Sequence, residues 1–272
     1  MRIDFTKMHG AGNDFVVVDG RAARLPADLA AWVRRVCDRR RSVGADGVLI
    51  LVPAERADFR MRYFNADGGE AEMCGNGARC IARFAAGRGV GGPELVFETL
   101  SGPIRAEVGP AAVRVHLGEA RAVRPERAVA GFPGPPVVSL DTGVPHAVAF
   151  VPDVDRVPVE EWGRALRRHP EFAPAGTTAD FVQVKGPRRI AVRTYERGVE
   201  AETLACGTGV TASAVAAVLA RGCATPMQVE AHSGDLLTVD FRREGGRVVD
   251  MTLEGPAVTA FEGHMEWSDE QG

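Results

Sequence analysis

No apolar run in this sequence reaches the ~18 residues that a membrane-spanning helix needs, so a helical membrane protein is excluded. Excess charge of either sign is lacking too: 33 Lys and Arg stand against 36 Asp and Glu, a formal net charge of -3. That balance argues against a nucleic-acid surface and against a polybasic membrane anchor. The arginines at 39–41 form a short cluster and read as a solvated helix end. An even cysteine count is also missing. Of the five cysteines (37, 74, 80, 206 and 223), at least one has no intramolecular partner. The first ten residues, MRIDFTKMHG, alternate polar and apolar like a strand and show no export signal, so a cytoplasmic location with free thiols is expected.

What is present is ordinary material for a soluble core, with 45% hydrophobic and 25% charged residues in 272. Short strands are expected at 3–8, 14–18, 47–52, 59–64, 94–98, 104–108, 113–117, 137–140, 146–150, 181–184, 190–195, 228–231, 236–241 and 248–253. Helices are expected at 29–36, 78–86, 162–168 and 208–220. Many strands and few helices point to an α+β fold. The Pro- and Gly-rich stretch 121–136 reads as a linker between halves.

The chain repeats itself. Cys206 follows Cys74 by 132 residues, and Tyr195 follows Tyr63 by the same distance. Glu202 and Glu70, Glu230 and Glu98, and two Ser-Gly pairs keep that register. A further echo pairs GNDFVVV (12–18) with TADFVQV (178–184) at a different offset of 166, which predicts extra material in the first half around 20–53. Two related halves are expected: 1–118 together with 257–272, carrying Cys74, and 119–256, carrying Cys206. If the halves face each other about a pseudo-twofold axis, the two cysteines would meet across one cleft.

Each cysteine precedes Gly-x-Gly and a helix, in EMCGNGARC (72–80) and LACGTGVTA (204–212). Small residues leave the backbone N–H groups unobstructed there. Those N–H groups and the positive end of the macrodipole favour an anion, so a lowered thiol pKa and a carboxylate cradle are expected at both turns. Two such thiols suit racemisation by two bases, one removing an α-proton and the other supplying one to the opposite face. That chemistry needs neither a cofactor nor a metal, and no close Cys/His pair around either turn favours zinc. A disulfide between Cys74 and Cys206 is the competing reading. Cys37, Cys80 and Cys223 read as buried, inert thiols.

The segments KMHGAGNDFVVVD, RRSVGADGVLIL, FNADGGEAEMCGNGARC, TGVPHAV and YERGVEAETLACGTG resemble the diaminopimelate epimerase family, in order, over essentially the whole chain. The resemblance implies an isomerase that works without pyridoxal phosphate or any other cofactor. It would interconvert LL- and meso-2,6-diaminopimelate, a diamino dicarboxylic acid, on the route to lysine and peptidoglycan. It also implies a homodimer and two pseudo-symmetric domains. Each domain would be a mixed, mostly antiparallel sheet wrapped around a central helix, with the active site in the interdomain cleft.

By the same resemblance Cys74 is the proton donor and Cys206 the proton acceptor. His146 and Glu196 tune the cysteines, and Glu196 also binds substrate. Gly75 and Asn76, with Gly207 and Thr208, cradle the reacting carboxylate. Asn13 and Asn65 contact substrate, and Arg197 clamps the distal carboxylate. Gly47, Val144 and Thr178 stand where many members carry an amide, on the side that reads the distal amino acid, and Thr178 is kept among the binding residues. A racemase of another amino acid, such as histidine, is the first alternative. A thiol redox switch or binding protein is the alternative of another class.

Overall fold

The apolar runs FVVV (15–18) and VLIL (48–51) are short and rich in branched side chains, so they form strands buried on both faces. In the computed structural model they lie in β2 and β3. The structure describes residues 1–268; residues 269–272, the end of the segment assigned to the first half, lie outside the described residues. The strands are β1 (Arg2–Gly10), β2 (Asn13–Asp19), β3 (Gly47–Val52), β4 (Phe59–Asn65), β5 (Glu70–Ala71), β6 (Glu94–Thr99), β7 (Gly102–Val108) and β8 (Val113–Arg127). They continue with β9 (Val137–Asp141), β10 (Pro145–Phe150), β11 (Thr178–Gly186), β12 (Arg189–Glu196) and β13 (Ala201–Thr203). The last are β14 (Met227–Glu230), β15 (Leu236–Glu244), β16 (Arg247–Gly255) and β17 (Val258–Glu266). The helices are α1 (Leu29–Cys37), α2 (Gly75–Gly87), α3 (Val159–Arg167) and α4 (Gly207–Arg221).

The chain divides into two units. One holds Met1–Val115 and the segment from Pro256, and the other holds His116–Gly255. In the first, the strands pair in the order β17, β1, β2, β3, β4, β6, β7 and the start of β8, with β5 added beside β4. The pairs β2–β3 and β4–β6 are parallel and the rest antiparallel. In the second unit the order is the end of β8, then β9, β10, β11, β12, β14, β15 and β16, with β13 beside β12. Its parallel pairs are β10–β11 and β12–β14. Strand for strand, the two units are the same fold, α+β with a mixed, mostly antiparallel sheet.

Each sheet covers a helix on each face, and alternation along the strands assigns side chains to them. Val16, Val18, Val48 and Ile50 pack with Trp32, Val33 and Val36 of α1. Asp28 caps that helix by accepting from the Ala31 N–H at 2.9 Å, an interaction worth about 1 kcal/mol. The alternate residues Phe15 and Leu49 lie under the start of α2. In the second unit Ala147, Ala149, Ala179 and Phe181 face the cluster that includes Leu166 and Trp162 of α3. Both α2 and α4 are central helices. Gly75–Cys80 are all buried, and the buried residues of α4 lie within its first eleven positions, on all sides of the helix.

The structure corrects the second echo in the sequence. TADFVQV lies on β11, whose counterpart in the first unit is β3, whereas GNDFVVV lies on β2. Phe15 pairs with Gly47 and His146 with Thr178, a separation of 32 residues in both cases, so no insertion separates these strands in the first unit. The two segments look alike because both are doubly buried strands opening on Asp-Phe. The stretch 121–136 also differs from expectation. Its first seven residues continue β8 and pair with β9 at Arg121, Arg124 and Arg127. Strands β5, β13 and β17 were not expected. The first two are two and three residues long, and β17 is exposed at most positions, so it shows no inward-facing alternation.

Candidate active site

Around Cys74, polar groups are fixed by charges that can act in one way only. Cys74 is the N-cap of α2, and its Sγ accepts from the Gly77 N–H at 3.5 Å. Its thiol donates to Asn13 Oδ1, also at 3.5 Å. Asn13 Nδ2 donates to Asp46 Oδ2 at 2.8 Å, and a carboxylate can only accept, so Oδ1 must face the thiol. Arg79 can only donate, and its Nη2 reaches Asn76 Oδ1 at 2.8 Å. Asn76 Nδ2 therefore turns to Asn13 Oδ1, at 3.2 Å. The Asn13 oxygen is thus turned toward the Cys74 thiol as an acceptor. Gly75 and Asn76 open α2, at the positive end of its dipole. Asn65, at the end of β4, accepts from Tyr63 Oη at 2.6 Å.

Asp46 belongs to a further ion network. Arg39 bridges Asp46 and Asp14, and Lys7 reaches Asp14 at 2.7 Å. Burial works against the Asp14 charge, but Arg39 and Lys7 prevail and hold its pKa at about 2.

Cys206 sits at the same place before α4, in different surroundings. Its Sγ lies 3.4 Å from Thr208 Oγ1. Glu196, at the end of β12, has its charge near the thiol and accepts from Thr203 Oγ1 at 3.0 Å. Burial pushes the Glu196 carboxyl above the usual range, and the nearby Asp180 charge adds to this, while Thr203, His146 and the Cys206 thiol oppose it. His146 and Asp180 are buried beside this pair, with Nδ1 2.7 Å from Oδ2. Thr208 O accepts from Thr142 Oγ1 at 2.9 Å, which ties the start of α4 to the loop after β9.

The expected lowering of the thiol pKa is reversed at Cys206. Burial raises it well above the ordinary value, and the charges of Glu196 and Asp180 raise it further, against the Thr208 hydroxyl and the Gly209 N–H. A helix N-terminus contributes part of a charge, whereas two carboxylates contribute whole ones. Cys206 at rest is therefore a thiol with a carboxylate positioned to take its proton. All five cysteines are free. Cys80 is fully buried, and burial pushes its thiol to about 12, which keeps it protonated.

Thr178 begins β11 across from His146, and its Oγ1 accepts from the Arg197 N–H at 3.2 Å. Arg197 Nη1 reaches Ala175 O at 3.4 Å. At position 47 a Cβ would lie 2.5 Å from Phe64 O and 2.8 Å from the Tyr63 ring, so no amide side chain fits there. Sequence reasoning missed Asp46, Arg79, Asp180 and Thr194. The available signal for Asp180 was a carboxylate in the otherwise apolar strand TADFV.

Known proteins resemble this chain. The family model described as diaminopimelate epimerase matches residues 5–123 and 138–258. The chain belongs to the diaminopimelate epimerase family. A member from Aquifex aeolicus (strain VF5), named diaminopimelate epimerase, is 42% identical over 276 residues, 97% of this chain and 98% of that one. Another, from Desulforudis audaxviator (strain MP104C), is 44% identical over 279 residues, covering 96% and 98%. Among solved structures, a phenazine biosynthesis protein of the PhzF family from Bacillus anthracis has TM-score 0.74 at 16% identity, over 98% of this chain and 100% of that one. A probable proline racemase from Agrobacterium radiobacter K84 has TM-score 0.71 at 19% identity, over 98% and 93%. These last two likenesses show the fold alone.

Proposed function

We propose that this chain is an isomerase that interconverts LL- and meso-2,6-diaminopimelate by proton transfer between two thiols and the α-carbon. The supporting observation is the repeated Cys-Gly-x-Gly turn at two central helices, in a chain about 40% identical over its whole length to proteins named diaminopimelate epimerase.

In the LL-to-meso direction Cys206 is the acceptor. Glu196 takes its proton, and the thiolate then removes the α-proton. Cys74 delivers a proton to the opposite face, and the Asn13 oxygen turned toward its thiol suits that role. The carbanion's charge moves onto the substrate carboxylate, where N–H groups of Gly75, Asn76, Gly207 and Thr208 stabilise it. Arg197 binds the distal carboxylate by paired hydrogen bonds, and Asn13, Asn65 and Thr178 orient the substrate. No cofactor takes part. A homodimer in the cytoplasm, feeding lysine and peptidoglycan synthesis, completes the proposal.

The test is α-proton exchange in deuterated water with reducing agent and no added cofactor. Incorporation of deuterium from LL- or meso-diaminopimelate is expected, and none from either refutes the reading. Gly47, Val144 and Thr178 leave the distal end with fewer amide contacts than many members have. A parallel panel of other amino acids, histidine included, therefore separates this reading from a racemase of another substrate.

A further inference from the structure

The Cys206 unit buries more ionisable groups than two-thiol chemistry uses. The side chains of His146 on β10 and Asp180 on β11 are both fully buried, and Nδ1 lies 2.7 Å from Oδ2. The second Asp180 oxygen, Oδ1, accepts from Thr194 Oγ1 at 2.7 Å. It also abuts the first turn of α4, since a Cβ at Gly209 would lie 2.3 Å from it. Burying a carboxylate is costly unless its charge is met. Here an imidazole N–H, a hydroxyl and a helix N-terminus meet it. A carboxylate accepts only, so Nδ1 carries a proton toward Asp180. The other ring nitrogen, Nε2, is buried and has no hydrogen-bond partner among the described residues.

We propose that Asp180 is a positioning residue of the reaction: it holds the His146 proton on Nδ1 and leaves Nε2 as the buried acceptor of the Cys206 unit. This rests on reading Cys206 as the thiol that takes the α-proton. After that step Cys206 carries an S–H bond and must lose the proton to act again. The S–H bond breaks as an O–H bond forms on Glu196. The products are the thiolate and a carboxylic acid, and the total charge is unchanged. The ionisable groups joined in this cluster come from four elements: His146 on β10, Asp180 on β11, Glu196 on β12 and Cys206 before α4.

Two measurements test it. In the intact protein carrying ¹⁵N-histidine, the His146 resonances, assigned by their loss in His146→Gln, should show the resting neutral ring protonated at Nδ1. A ring protonated at Nε2 overturns the proposal without any change at Asp180. The second measurement uses Asp180→Asn, which keeps the side-chain shape. Its kcat should fall by about 100-fold or more while KM changes by less than about threefold. Cys206 should meanwhile react faster with iodoacetamide, because a charge opposing its ionisation is gone, with the Cys74 rate as internal control. The pH dependence of that alkylation separates the causes: a lost charge moves its midpoint to lower pH, whereas a loosened structure raises the rate without moving the midpoint down. Wild-type kcat in this variant, or slower alkylation of Cys206, refutes the proposal. Absence of α-deuterium exchange in the wild type would instead refute the functional reading beneath it.

Discussion

The turns at Cys74 and Cys206 begin equivalent helices over equivalent sheets, yet they rest on different floors. Under α2, the third helical residue, Gly77, faces Leu49 and Phe15, and Phe15 meets the edge of Tyr63. Under α4, Gly209 faces the carboxylate of Asp180, with His146, Thr194 and Glu196 beside it. The strand positions correspond, since Phe15 and His146 occupy the same place in the parallel register. Duplication supplies two thiols at two helix N-termini. Beside Cys206 lie the charges of two carboxylates, Glu196 and Asp180. Beside Cys74 lies the Asn13 amide, fixed by Asp46, whose oxygen accepts from the thiol. A reaction that needs one base and one acid at rest gains from such unequal copies.

The largest effect expected is at the thiols. Cys74→Ala and Cys206→Ala should each lower the rate of epimerisation by more than about 10³-fold, the upper range for losing an acid or base. Steady-state assays in both directions check this, and full activity in either variant excludes the two-base mechanism. Next comes Glu196→Gln, expected to slow turnover by about 100-fold. Glu196 must be ionised to act, and burial raises its pKa. Wild-type activity should therefore fall on the acid side at a pH above the ordinary carboxylate range. A pH profile of kcat should lose that limb in the variant.

A smaller effect compares the floors directly. A methyl at position 209 would lie 2.3 Å from a buried carboxylate oxygen, whereas one at 77 would lie 3.1 Å from a leucine methyl. Gly209→Ala should cost about 3 kcal/mol of stability and Gly77→Ala about 1 kcal/mol, by denaturant titration. Equal costs would mean that the floors do not differ as described. The smallest effect belongs to the first unit alone. The folded pKa of Asp14, about 2, lies below its ordinary 3.8, so its ion pairs stabilise fully above about pH 4 and fade as pH falls through 2. Thermal melts of wild type and Asp14→Asn should differ at pH 6 and converge near pH 2. A constant difference would separate Asp14 from acid sensitivity.

Much of this was legible in the sequence. Patterned runs located the four helices and most strands, because each has a buried face that repeats at its own period. The cysteine repeat located the two turns. Strand β17 was not legible because its side chains are mostly exposed and its place is set by backbone pairing with β1. The His146–Asp180 pair was hidden because its members lie 34 residues apart and meet only through the parallel pairing of β10 and β11. The direction of the Cys206 shift was misjudged for the same reason. The local helix signal could be read, whereas burial and two carboxylates are properties of the fold.

The most direct test of unequal thiols follows isotope through one direction of the reaction. Enzyme equilibrated in deuterated water is mixed with LL-diaminopimelate and stopped at low conversion, and the two isomers are separated and weighed by mass spectrometry. The account predicts α-deuterium in the meso product, delivered by Cys74, and protium in the recovered LL substrate, to which Cys206 returns the proton it removed. Equal deuterium in both isomers at early times would mean a single exchanging base and would contradict it.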